Sequence, residues 1–182
     1  MSRPLEVGIA GIGRMGWVHA RHLLELQQQE GICRLCAIAD SDEERLKAFA
    51  SALDFAGPLF PSLDAYLEAD LCRATMVVTP TGHHQAHAMA LVQAGHRVLM
   101  EKPLTGTLEG DLACCAELDR HYPDSLMLAF QRRFDAALRY AKQLVEQGVI
   151  GRLFKIYSAL EDSGPPPDGY QSGGILPDMA VH

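Results

Sequence analysis

The chain has 182 residues, 48% hydrophobic and 21% charged, and its 16 basic and 23 acidic side chains leave a net charge of −7. That length suits one domain or one and a half, with ample apolar material for a core. No basic stretch is long enough to follow a phosphate backbone, which argues against nucleic acid, and no apolar run reaches the length of a membrane helix.

The first predicted element is a strand, Leu5 to Ala10. Met1-Ser2-Arg3-Pro4 lead into it with no secretory apolar region or cleavage site, so a cytoplasmic protein is expected. Gly11-Ile12-Gly13-Arg14-Met15-Gly16 follows, and a helix is predicted over Met15 to Leu26. Strand, G-x-G-x-x-G and helix in that order point to a dinucleotide site. The first glycine allows the turn, the second lets backbone approach a pyrophosphate, and the third lets helix and strand pack closely. Backbone N–H groups at the helix start then face the phosphates. Sites for S-adenosylmethionine and FAD use similar loops, and a glycine turn in some other α/β protein is the plain alternative.

The second strand, Cys33 to Ala39, ends at Asp40, 24 residues beyond Gly16. An acid there accepts hydrogen bonds from an adenosine ribose diol and repels a 2′-phosphate, which favours NAD over NADP. Its plain alternative is a helix N-cap. Cys33 and Cys36 form a C-x-x-C, yet odd spacing on a strand sends the two thiols to opposite faces. Five cysteines with no second pair at zinc-like spacing suggest buried apolar thiols in a reducing compartment, not a redox or metal site.

Helices are then predicted over Asp42–Ser51 and Leu63–Ala69, with a short extended piece around Leu59-Phe60 between them. Strand Ala74–Thr79, helix His84–Ala94, strand Arg97–Met100, helix Leu108–His121 and strand Leu126–Phe130 complete the alternation. Such a series predicts a parallel sheet with helices on both faces. Met76-Val77-Val78 and Val98-Leu99-Met100 are apolar throughout, as strands covered on both sides require.

In open α/β sheets, ligands bind beyond the carboxyl ends of the strands. Three such ends carry notable residues: Asp40, Thr79-Pro80-Thr81-Gly82-His83-His84, and Glu101-Lys102-Pro103-Leu104. His83, His84 and His87 invite a zinc reading, because helical spacing brings two imidazoles together. No nearby acid or thiol completes a site, so contacts at the helix start near a cofactor are expected instead, and no metal. Lys102 reads as a solvated loop lysine or as a hydrogen-bond donor to a substrate oxygen, with Pro103 fixing its backbone direction.

After Phe130 the pattern changes, so a nucleotide-binding domain over 1–128 and the beginning of a second domain over 129–182 are expected. A helix is predicted over Gln131 to Gln147, with Ala137, Tyr140, Leu144 and Val145 on one face and Gly148 as its cap. Leu153–Tyr157 reads as a strand, and a last helix begins near Pro177. Asp178 and His182 then stand at i and i+4 on one face. A histidine near neutral pKa can take the proton from an alcohol, and an acid beside it can orient the site. Surface capping is the plain alternative for that pair.

Taken together, Gly11–Gly16, Thr79-Pro80 with His84, and Ala94-Gly95-His96-Arg97-Val98-Leu99-Met100-Glu101-Lys102-Pro103-Leu104 resemble the Gfo/Idh/MocA oxidoreductase family. Gln131-Arg132-Arg133-Phe134-Asp135 and Gly173-Gly174 with Asp178 and His182 resemble its inositol 2-dehydrogenase branch, although Gln131 stands where that branch commonly carries Asn. The resemblance implies an N-terminal Rossmann domain, then a C-terminal α/β domain with a large open sheet used in oligomerisation, of which this chain carries the truncated start. It implies transfer of a hydride between a cyclitol or sugar hydroxyl and NAD, in a homo-oligomer. Under it Lys102, Asp178 and His182 are the catalytic trio, with His182 as general acid and base. Gly11, Gly13, Arg14, Met15 and Gly16 cradle the pyrophosphate, and Asp40 holds the ribose. Thr79, Pro80, His84 and Glu101 line the cofactor, with Gln131 near the nicotinamide. A non-catalytic NAD-binding module and an NADP-linked reductase of the same family are the competing readings.

Overall fold

The computed structural model describes residues 3–159. Their strands are β1 (Leu5–Ala10), β2 (Cys33–Ala39), β3 (Leu59–Phe60), β4 (Ala74–Val77), β5 (Arg97–Met100) and β6 (Leu126–Leu128). Helices α1 (Arg14–Gln29), α2 (Glu43–Ala52), α3 (Leu63–Ala69), α4 (Thr81–Gln93) and α5 (Leu108–His121) alternate with them, and a 3-10 helix (Gln131–Phe134) and α6 (Ala136–Glu146) follow. The chain divides into two compact units, Met1–Leu128 and Ala129–His182.

The first unit holds one parallel sheet in the order β3-β2-β1-β4-β5-β6. This is the Rossmann order, in which the chain reverses direction across the sheet between β1 and β4 and leaves a crevice at the carboxyl ends. Register aligns those ends: Ala10 pairs with both Ala39 and Val77, and Val77 pairs with Met100. The next residues, Gly11, Asp40, Val78 and Glu101, therefore line one edge of the sheet.

Each sheet face has its own core. Val7, Ile9, Leu35 and Ile38 pack with Ala20 and Leu23 of α1 and with Leu46 and Phe49 of α2. Ala39, Val77, Val98 and Met100 pack with Tyr66 of α3, with Ala88, Leu91 and Val92 of α4, and with Cys114 and Leu118 of α5. A bulge in β2 opposite Val7 and Gly8 shifts the register by one residue. Cys33 packs in the first core while Cys36 packs against the second, so the C-x-x-C does face two ways. All five cysteines are free thiols.

Four helix starts have side-chain caps: Asp42, Ser62, Thr107 and Asp135 accept from the backbone N–H three residues on, opening α2, α3, α5 and α6. α4 ends in a Schellman turn. Gly95, at φ +86°, donates to Val92 O, and His96 donates to Leu91 O. This reversal turns Ala94-Gly95-His96 directly into β5.

Several boundaries differ from expectation. β4 stops at Val77, not Thr79, and α4 begins at Thr81, not His84, because Pro80 suits the entry to a helix and a helix can absorb Thr81-Gly82-His83. β6 ends at Leu128, short of Phe130. The helix expected from Gln131 starts as a 3-10 turn, and α6 proper begins after the Asp135 cap. Gly148 does end α6 in a Schellman turn, through Gly148 N–H to Val145 O and Val149 N–H to Leu144 O. Leu153–Tyr157 is not a strand: no neighbouring strand pairs with it among the described residues, and strand structure needs such a partner. The helix expected near Pro177 lies outside the described residues. No helix among those described is long and apolar enough to cross a membrane.

Candidate functional site

The β1–α1 turn opens at Gly11, whose φ of +96° suits glycine, and a Cβ there would stand 2.8 Å from Thr79 N. At Gly16 a Cβ would lie 2.3 Å from Gly11 O, so the helix closes onto its own turn only because that atom is missing. At Gly13 a Cβ would meet nothing within 4 Å. The middle glycine thus borders open space, where backbone can approach a ligand. Arg14 and Met15 begin α1 directly after it. Of the helices that follow strands at this edge, α1 and α4 have no side-chain cap at their N-cap residues, Gly13 and Pro80, whereas α2, α3 and α5 are capped. Helix starts of that kind suit an anion.

Asp40 stands against the glycine turn. Its Oδ2 accepts from Ile12 N–H at 2.8 Å and its Oδ1 from Asp42 N–H at 2.9 Å. Arg45 Nη1 reaches both oxygens, at 3.2 and 3.3 Å. The acid is therefore no N-cap; Asp42 caps α2.

The other two strand ends are tied together by His84, which is 2% exposed. Its Nε2 lies 2.7 Å from Thr79 O and its Nδ1 2.6 Å from Pro103 O. Both partners are carbonyl oxygens, which only accept, so a ring nitrogen bonds its partner only when it carries a proton. The imidazole thus sits between the Thr79-Pro80 corner and the turn that follows Lys102, whose peptide bond to Pro103 is cis. His83 and His87 stack at 5.3 Å between ring centroids, and His87 Nδ1 contacts Thr79 Oγ1 at 3.1 Å. Burial, with His83 and His84 beside it, holds the His87 imidazole below the usual histidine range, which favours a neutral ring. Among the described residues no group of three or more His, Cys, Asp or Glu side chains is placed to hold a metal ion.

Glu101 follows β5 and meets His19 of α1, Oε1 to Nε2, at 2.7 Å. Burial opposes its ionisation. The His19 hydrogen bond and charge, the Lys102 N–H and the Lys102 ammonium outweigh that and hold the carboxyl below the usual range. An anionic Glu101 beside the lysine keeps the local charge balanced.

One crevice edge thus gathers Gly11, Gly13, Arg14, Met15, Gly16, Asp40, Thr79, Pro80, His84, Glu101 and Lys102. Gln131 opens the 3-10 helix of the second unit. Asp178 and His182, with Gly173-Gly174, lie outside the described residues. Sequence reading missed His19 and Arg45. Each had a signal: His19 stands one helical turn beyond Gly16, and Arg45 stands three residues after the cap of its helix.

A reversal-point crevice, a glycine turn open at its middle residue, two helices without side-chain caps and an acid after β2 define a dinucleotide-binding domain, and these residues fit such a ligand. Residues 5–122 match the model of the Gfo/Idh/MocA oxidoreductase family with its NAD-binding Rossmann fold, and the chain belongs to that family. It is 30% identical over 186 residues to myo-inositol 2-dehydrogenase of Thermotoga maritima, covering 98% of this chain and 52% of that protein. It is also 30% identical to scyllo-inositol 2-dehydrogenase (NAD(+)) of Bacillus subtilis, covering 100% of this chain and 52% of that one. The chain spans about half the length of the curated relatives it matches. Among solved structures, the scyllo-inositol dehydrogenase of Lactobacillus casei with bound NAD(H) and scyllo-inositol superposes with a TM-score of 0.72 at 30% identity, over 81% of this chain and 42% of that one. A myo-inositol dehydrogenase from Corynebacterium glutamicum superposes with a TM-score of 0.79 at 28% identity, over 98% of this chain and 52% of that one.

Proposed function

We propose that the protein is an NAD-linked dehydrogenase that oxidises a hydroxyl of a cyclitol or sugar, or runs the reverse reaction. The observation that carries this is the convergence of the glycine turn, Asp40 and the Glu101-Lys102-Pro103 turn on one crevice edge, in a chain 30% identical to inositol dehydrogenases. Asp40 favours NAD, since a carboxylate repels a ribose 2′-phosphate.

Bound NAD supplies the hydride acceptor. The chain's own part is to hold the reacting hydroxyl and to move its proton. Gly11, Gly13, Arg14, Met15 and Gly16 hold the pyrophosphate, Asp40 the ribose, and Thr79, Pro80, His84, Glu101 and Gln131 line the cofactor. Lys102 donates a hydrogen bond to the reacting oxygen, which positions it and favours its more anionic form. His182 takes the hydroxyl proton as base and returns it as acid in the reverse direction, and Asp178 orients that site. His84 fixes the backbone on the far side of Lys102, through Pro103 O, so that the ammonium approaches from a set direction.

The test is oxidation of a panel of inositols and sugars with NAD, in the wild type and in Lys102→Ala. Turnover on a polyol that falls about 10²–10⁴-fold in the variant, with NAD binding kept, is the expected result. Normal turnover in Lys102→Ala would overturn the mechanism. NAD binding with no turnover on any polyol would make the protein a binding module.

A further inference from the structure

The Asp40 carboxylate is fully subscribed. A carboxylate offers about four lone-pair positions, two on each oxygen. Oδ1 accepts from Asp42 N–H and from Arg45 Nη1, and Oδ2 from Ile12 N–H and from Arg45 Nη1. The Asp40 side chain is 6% exposed, so little of it faces water, whereas Arg45 is 45% exposed. Two of these donors are backbone groups, one in the glycine turn and one at the cap of α2, and neither can leave without opening the turn. The guanidinium is the displaceable one. It sits on a long, half-exposed side chain with a second anchor, Arg45 Nη2 to Asp42 Oδ2 at 3.2 Å, that it can keep after release.

We infer that Arg45 is a latch on the cofactor seat: its guanidinium holds the Asp40 carboxylate in the free protein and leaves when a ribose diol takes that face. This rests on the reading of Asp40 as the ribose acid. Two consequences follow. NAD binding carries the cost of breaking an ion pair, so the latch lowers affinity for NAD. A ribose bearing a 2′-phosphate gives the released guanidinium an anionic partner in exchange for Asp40. Arg45 therefore narrows the discrimination that Asp40 provides, and it is a specificity-determining residue.

The test is titration of the purified protein with NAD and with NADP, by calorimetry, in the wild type, Arg45→Gln, Arg45→Lys and Asp40→Ser. Arg45→Gln should tighten NAD binding about two- to fivefold, the scale of competition from a half-exposed ion pair, and should not tighten NADP binding. Arg45→Lys, which keeps the charge but loses the two-pronged donor, should fall between it and the wild type. Arginine side-chain nitrogen resonances give a second readout: rotation about the Cζ–Nη1 bond of Arg45, slowed in the free protein, should speed up on adding NAD, while the Nη2 end stays on Asp42. An unchanged or weaker NAD affinity in Arg45→Gln overturns the latch. Asp40→Ser separates the two levels. If it leaves the preference for NAD over NADP unchanged, the ribose reading itself fails; if it relaxes that preference while Arg45→Gln does nothing, the latch alone fails.

Discussion

The glycine turn separates two roles that a sequence motif presents as one. Gly16 is structural, because a side chain there collides with Gly11 O across the closed turn. Gly16→Val should lower stability by about 1–3 kcal/mol, read as a drop in melting temperature with or without ligand. Gly13 faces open space, so Gly13→Val should melt like the wild type yet weaken NAD binding by about a hundredfold, as a calorimetric titration would show. A variant that loses stability at Gly13 would mean that the open side is closed in solution. At this scale the positions of the glycines, Asp40, Glu101 and Lys102 were legible in the sequence, because each follows a strand and strand ends are legible; their roles belong to the proposal. His84 was placed at the site, but its double tether to Thr79 O and Pro103 O was not foreseen, because contacts across 5 and 19 residues depend on tertiary packing.

Among the elements, the reversal from α4 into β5 carries the most consequence. Gly95 adopts a left-handed conformation that costs other residues about 1–2 kcal/mol, so Gly95→Val should destabilise the chain by that order in denaturant unfolding. The reversal also buries His96, whose Nδ1 contacts Thr75 Oγ1 at 2.8 Å; Thr75 in turn meets the Tyr66 hydroxyl at 2.7 Å. Burial, with Arg73 nearby and only Asp70 opposing, pushes the His96 imidazole below its usual 6.5. The unfolded chain therefore takes the proton first. The stabilising contribution of neutral His96 is complete above about pH 6.5 and is lost as pH falls from there towards the lower folded value. His96→Asn should flatten the fall in melting temperature across that window; an unchanged pH profile would place the acid sensitivity elsewhere. Element types in the first unit were legible from alternating apolar runs and caps. Their ends moved by a few residues wherever a proline or a competing cap decided the boundary, as at Pro80 and Asp135. Leu153–Tyr157 shows the limit of pattern reading: its apolar content looks like a strand, but a strand is a pairing, and single-chain periodicity does not report the partner.

On the scale of the whole molecule, a ligand that binds only the folded state stabilises it. NAD at about a hundred times its dissociation constant should add about 2.7 kcal/mol, seen as a rise in melting temperature that grows with concentration. A flat response would deny a dinucleotide seat altogether. The strand order has a further consequence, in time. β1 lies between β2 and β4, and Ala10 pairs with Val77, so the two strands that flank the crevice emerge from the ribosome 67 residues apart. The glycine turn is made before the rest of its site: the far wall at Thr79 follows Gly11 by 68 residues, and Pro103, to which His84 ties that corner, by 92. During synthesis the nascent half-sheet β1-β2-β3 exposes the edge of β1 where β4 will dock. No dinucleotide can brace that intermediate through the finished site, so before β4 arrives the half-sheet has only the core it shares with α1 and α2 to hold it.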